Sequence, residues 1–194
     1  MKTQLAGIFQ ESIQLKERFL RENAAILEGA IRGLAQVIKA GNKVLLFGNG
    51  GSAADAQHLA AEFVNRYRME RPPLPAIALT TDTSILTAIS NDYDFTEVFE
   101  KQVKALGRSG DAAIGISTSG SSLNVVRGLK QAREQGLVTI GLGGPPACPM
   151  SLTCDYYMAV DGAPTPRIQE VHLIVEHVLV EMVDEMLFGT LDRS

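Results

Sequence analysis

Cysteine is scarce in this chain, basic charge is not in excess, and long apolar runs are missing. No stretch approaches the roughly 18 uncharged apolar residues of a membrane span, and Met1-Lys2-Thr3-Gln4 is not followed by an apolar signal region. No membrane partner is expected, and the cytoplasm is the expected compartment. Cys148 and Cys154 are the only cysteines; two are too few for a disulfide framework, and they lack the CxxC spacing of a zinc or redox motif. Both are expected as free thiols. The formal net charge of -4 provides no general attraction to nucleic acid or to an anionic lipid surface, so no nucleic-acid partner is expected. The one short basic stretch, Arg66-Tyr67-Arg68 through Arg71, is explained equally well by a solvated helix end.

What is present fits one domain. The 194 residues suffice for a full core plus an extra helical element. Residues 3–40 place Leu5, Ile8, Phe9, Ile13, Ile26, Ile31, Leu34 and Ile38 at helical spacing without a proline. They predict a helical arm over 1–40, made of two helices broken near Arg21-Glu22-Asn23, able to pack on its own sheet or on another subunit. From 41 to 194, short apolar runs alternate with helical segments. Strands are predicted at 43–47, 75–80, 112–117, 137–142 and 156–160, and helices at 53–67, 84–105, 122–135 and 167–188. Several runs are apolar on both faces, as strands of a covered parallel sheet are. The expected fold is a doubly wound α/β three-layer sandwich with a five-stranded parallel sheet.

Two loops carry the chemical signal. Gly48-Asn49-Gly50-Gly51-Ser52 follows the first strand and opens a helix, where backbone N–H groups and the helix dipole favour an anion. It formally fits a dinucleotide turn, but the acidic residue wanted about 20 positions on is out of place, since Glu70 precedes a run of prolines. No Lys-Ser or Lys-Thr follows the glycines, which excludes a nucleotide P-loop. The second loop, Ser117-Thr118-Ser119-Gly120-Ser121-Ser122, crowds hydroxyls around one glycine before another helix. Helix capping needs only one of them, so phosphate binding by neutral donors is the better explanation. His58 and Glu62, four apart on one helix face, form a candidate acid/base or metal pair, with a plain surface pair as the alternative. The last helix is apolar nearly all round yet contains His172 and His177. Each is either a satisfied core histidine or a functional one.

Taken together, these loops, His58 and Glu62, and Arg167-Ile168-Gln169-Glu170-Val171-His172 with His177 resemble the sugar isomerase (SIS) domain family over essentially the whole length. The resemblance implies substrate contacts from Asn49, Gly50, Gly51, Ser52, Glu62, Asn91, Asp92, Ser117, Thr118, Ser119, Ser122 and Gln169. It also implies one zinc ion held by His58, Glu62, Gln169 and His177, and a homotetramer with active sites at subunit contacts. Pro166 stands before Arg167 where some relatives have an acidic residue.

The implied reaction is conversion of sedoheptulose 7-phosphate into a manno-heptose 7-phosphate, feeding bacterial surface glycans. Moving a proton between C1 and C2 through an enediol needs a base, an acid at the oxygens and stabilisation of a developing oxyanion. Glu62 is the expected base and His177 the expected acid/base partner. Gln169 and His177 lie eight residues apart, about 12 Å along a helix. Sharing an ion therefore requires both side chains to reach along the axis, or a site built from two subunits. The alternative from another class is a tetrameric adaptor that associates with a replication initiator, which similar chains also resemble; an adaptor has no need of the Glu62 and His177 pair.

Overall fold

The computed structural model describes residues 1–189. The expected end of the α/β core at residue 194 lies outside that range. A single helix, α1 (Lys2–Lys39), precedes an alternating series: β1 (Val44–Gly48), α2 (Gly51–Val64), β2 (Ala76–Ala78), α3 (Thr83–Asp92), α4 (Val98–Leu106), β3 (Ala112–Ser117), α5 (Leu123–Glu134), β4 (Val138–Gly143), β5 (Tyr156–Ala159) and α6 (Thr165–Phe188). Short 3-10 turns stand at Phe95–Glu97 and Met150–Leu152. All strand pairings are parallel, in the order β2-β1-β3-β4-β5. The expected doubly wound sheet is therefore present.

The alternation along each strand sorts the core into two halves. Val44 and Leu46 of β1 face one cluster with Ile114, Ile116, Ile140 and Leu142, covered by α1, α2 and α6. Leu45 and Phe47 face the other, with Val98, Phe99, Val125 and Leu129, covered by α4 and α5. Phe47 and Phe99 stack there with centroids 5.1 Å apart.

Beside small shifts at element ends, such as β2 at Ala76–Ala78 for an expected 75–80 and α2 at Gly51–Val64 for an expected 53–67, two helix breaks differ from expectation. The polar Arg21-Glu22-Asn23 stretch does not break α1, because Asn23 is buried and employed. Its Nδ2 donates to the carbonyls of Phe19 and Ala159, and its Oδ1 accepts from Ala159 N–H, so it completes the outer edge of β5. The segment 84–105 is not one helix either. Asp94 is extended and accepts from Thr96 N–H, starting a new turn and dividing the segment into α3 and α4. Pro166 falls in the first turn of α6, where its missing N–H is no loss. That turn is fastened by Glu170, which accepts from Ser12 of α1 at 2.6 Å and pairs with Arg167. Both cysteines are free thiols, and burial pushes Cys154 up to about 12.

Candidate active site

The strand order reverses direction between β1 and β3, and ligands of such sheets bind outside the strand ends at that point. Both signal loops meet there. β1 ends at Gly48, Asn49 and Gly50 turn the chain with Gly50 at φ +56°, and α2 opens at Gly51. The N–H groups of Gly51 and Ser52 precede the first helical bonds, which run from Ala53 and Ala54 to the Gly50 carbonyl. From the other side, β3 ends at Ser117 and α5 opens after Ser122. Asn49 and Asn124 exchange two amide hydrogen bonds, of 2.8 and 2.9 Å, which fasten the two loops together.

The serine loop is not used for capping. Ser122 occupies the cap position of α5 without a side-chain cap bond; it accepts instead from Ser117 at 2.9 Å. Ser121 donates to Ser119 at 3.0 Å. The hydroxyls are thus organised around one another, with Thr118 between them, in a loop that contains no Lys or Arg.

α6 runs alongside α2 in the same direction, and three contacts mark its course. At the start, Gln169 lies against Gly51 and donates to Asp55 Oδ2 at 2.9 Å. Midway, His58 Nε2 and His177 Nε2 are 2.9 Å apart, with the rings edge to face. Glu62 stands one turn further, its Oε1 3.8 Å from His58 Nε2. At the far end, Asp184 pairs with Arg71 beyond the end of α2. Tyr67, in the segment that leaves α2, stacks on His177 with centroids 5.4 Å apart at 18°.

Beneath this surface lie buried ionisable groups. Burial raises the Asp55 carboxyl above its ordinary value, against the pull of Gln169 and His58. Burial also pushes Glu176 up to about 9, aided by the neighbouring Asp55, so Glu176 is a neutral acid at pH 7. His172 is buried, bonded to the Gly143 carbonyl at 3.0 Å, and held down to about 4 by desolvation. His172 is therefore a neutral core histidine, whereas His177 is half-buried at the crevice.

Of the expected residues, His58, Glu62 and His177 converge, and Gly51, in the turn formed with Asn49, Gly50 and Ser52, lies against Gln169 at the head of α2. Ser117, Thr118, Ser119 and Ser122 form the adjoining loop. Asn91 and Asp92 end α3 at an exposed position, and the bond of Asn91 is to Asp92, at 2.8 Å. Arg66 and Arg68 are solvated as expected, but Arg71 is not: its side chain is fully buried. The pattern had not singled out Asp55, Tyr67, Asn124 or Glu176. Asp55 alone carried a signal, because it sits three residues before His58 on the same helix face.

Two imidazoles and a carboxylate are a zinc-type donor set. In this arrangement, however, no three His, Cys, Asp or Glu side chains among the described residues form a metal-holding group. His58 and His177 are hydrogen-bonded to each other, and Gln169 is bonded to Asp55. The donor types fit zinc, and loading it requires His58 and His177 to give up their mutual bond.

The model of the SIS domain family matches residues 9–144. A phosphoheptose isomerase from Nitratidesulfovibrio vulgaris is 55% identical over 179 residues, covering 92% of this chain and 86% of that protein. One from Aquifex aeolicus is 52% identical over 187 residues, covering 96% and 98%. Among solved structures, the phosphoheptose isomerase of Neisseria gonorrhoeae superposes with a TM-score of 0.88 at 42% identity, covering 95% of this chain and 98% of that one.

Proposed function

The chain belongs to the SIS domain family, among its phosphoheptose isomerases, and we propose that it interconverts sedoheptulose 7-phosphate and D-glycero-D-manno-heptose 7-phosphate through an enediol. The observation that carries this reading is the convergence of Glu62, His58 and His177 beside the two loops at the switch point of the sheet.

Glu62 takes the proton from one carbon and returns it to the next. His177, its ring steadied by Tyr67 and facing His58, moves a proton at the O1 and O2 oxygens. Hydroxyls of Ser117, Thr118, Ser119 and Ser122 and the head of α2 hold the phosphate, which orients the far end of the sugar without entering the chemistry. Asn49, Gly50, Gly51, Ser52 and Gln169 line the path between, and Asn91 and Asp92 close on the sugar hydroxyls. A zinc ion on His58, Glu62, Gln169 and His177 would polarise the carbonyl and hydroxyl oxygens. The product supplies heptose units for surface glycans of the lipopolysaccharide type.

Assembly as a homotetramer, with α1 as the packing arm and sites at subunit contacts, belongs to the same proposal. It is supported by apolar side chains left on the surface, such as Leu5, Phe9 and Ile13 on α1 and Leu173, Ile174 and Met182 on α6. No helix among the described residues is long and apolar enough to cross a membrane, which accords with the proposed cytoplasmic location.

The test is an isomerisation assay on sedoheptulose 7-phosphate, with and without a chelator, on the parent, Glu62→Gln and His177→Ala. Each variant is expected to lose about a thousandfold in kcat, the scale of a lost acid or base. Full activity in either removes its assigned role. A parent that stays inactive with added zinc favours the adaptor reading instead. Light scattering should give fourfold the 20.9 kDa chain mass.

A further inference from the structure

The chain between α2 and β2 contains a cation that the reaction does not touch. Arg71 has a fully buried side chain, and its guanidinium spends its donors on two elements at once. At the end of α2 it bonds to the carbonyls of Glu62 at 2.8 Å and Phe63 at 2.7 Å, and to that of the capping residue Asn65 at 3.0 Å. Those are last-turn carbonyls, which have no partner within the helix. On α6 it bonds to Asp184 Oδ1 at 2.8 Å. One of the gripped carbonyls is that of Glu62 itself, and Asp184 lies seven residues, two helical turns, beyond His177. The same grip closes the 65–71 segment, which presents Tyr67 to the His177 ring.

We propose that Arg71 is a positioning residue of the isomerase, setting the separation of Glu62 on α2 from His177 on α6 and the orientation of the His177 ring. The inference rests on the assignment of those two residues as the proton-transfer pair. A buried ion pair by itself is a poor stabiliser, because desolvation offsets most of the attraction. What a planar fork adds is direction: it fixes several acceptors relative to one another, and a lysine ammonium in the same place cannot. Positioning follows from geometry of this kind, since an error of about 1 Å in a reacting pair costs on the order of a hundredfold in rate.

Arg71→Lys keeps the charge opposite Asp184 and loses the fork; Asp184→Asn keeps an acceptor for the guanidinium and loses the charge. The expected result is a fall in kcat of about thirtyfold for Arg71→Lys and about fivefold for Asp184→Asn, with KM within about twofold of the parent. The chain has 3 histidines, so 13C-histidine spectra give a direct readout. Signals of His58 and His177 should move in Arg71→Lys while that of His172 stays. Parental kcat in the folded variants, a change confined to KM, or unmoved His58 and His177 signals would overturn the proposal. Should Arg71→Lys not fold, Asp184→Asn decides on the same criteria. Glu62→Gln and His177→Ala run in parallel separate the two readings. Their inactivity beside a fully active Arg71→Lys removes only the positioning role, whereas their full activity removes the pair on which it rests.

Discussion

The two helical layers over the sheet are built to different standards. In the α4–α5 layer the buried polar residues are amides with partners: Gln102 donates to the Leu79 and Val98 carbonyls, and Asn124 pairs with Asn49. The remainder is apolar packing around Phe47, Phe99 and Leu129. The opposite layer buries Asp55, His172, Glu176 and Asp184. Among the described residues, the buried side-chain atoms without a hydrogen-bond partner are His172 Nδ1, both Glu176 oxygens and Asp184 Oδ2, all of them on α6. Desolvation left uncompensated is costly, and it is concentrated in the layer that contains His58, Glu62 and His177, to which the proposed chemistry is assigned.

The contrast can be broken at its apolar end first. Phe47→Ala should destabilise the protein by about 4 kcal/mol, the usual cost of emptying a core aromatic, measured by denaturant unfolding. The folded fraction should keep its KM; a changed KM would mean that the apolar layer also shapes the site.

A titration sharpens the contrast from the other side. His172 has a folded value of about 4 against an ordinary 6.5. Between these values the unfolded chain binds more protons. Its contribution is therefore complete above about pH 6.5 and is lost as the pH falls towards 4, about 3 kcal/mol in all. His172→Gln should lose that slope, so the difference between parent and variant stabilities should shrink as the pH falls from about 6.5 towards 4. An unchanged slope would show that His172 is not held neutral.

The smallest effects come from a matched pair of added methyl groups. At Gly128, a Cβ would stand 2.9 Å from the Phe47 ring and 3.0 Å from Phe99 Cβ, so Gly128→Ala should cost about 2 kcal/mol of stability without altering kinetics. At Gly51 it would stand 2.5 Å from Gln169 Nε2, the end of a side chain that can swing away. Gly51→Ala should raise KM about tenfold, the loss of one good polar contact, with little change in unfolding. Equal stability losses at both positions would erase the distinction between the layers.

Much of this was legible as pattern. Strands apolar on both faces, turn glycines between them and a hydroxyl-dense loop specify a parallel sheet and its ligand end, because period, turn chemistry and donor density are local properties. The errors arose where a residue's use was remote. Asn23 looked like a helix break because its partner, Ala159, is 136 residues away. Arg71 looked like one more solvated cation until Asp184 and the end of α2 closed around it. A helix as apolar as α6 is expected to be buried, yet Leu173 and Ile174 remain 39% and 44% exposed, since one chain has no element to cover them.

Local order along the chain thus settled the element types, the strand-end turns and the pairing of His58 with Glu62 on one helix face, for these depend on short-range sterics and a 3.6-residue repeat. The approach of His177 to His58 across 119 residues, the tie between Gln169 and Asp55, and the capture of Arg71 needed α2 and α6 to pack side by side. Contacts between distant residues follow from how whole elements share a core, and no spacing within either helix encodes them.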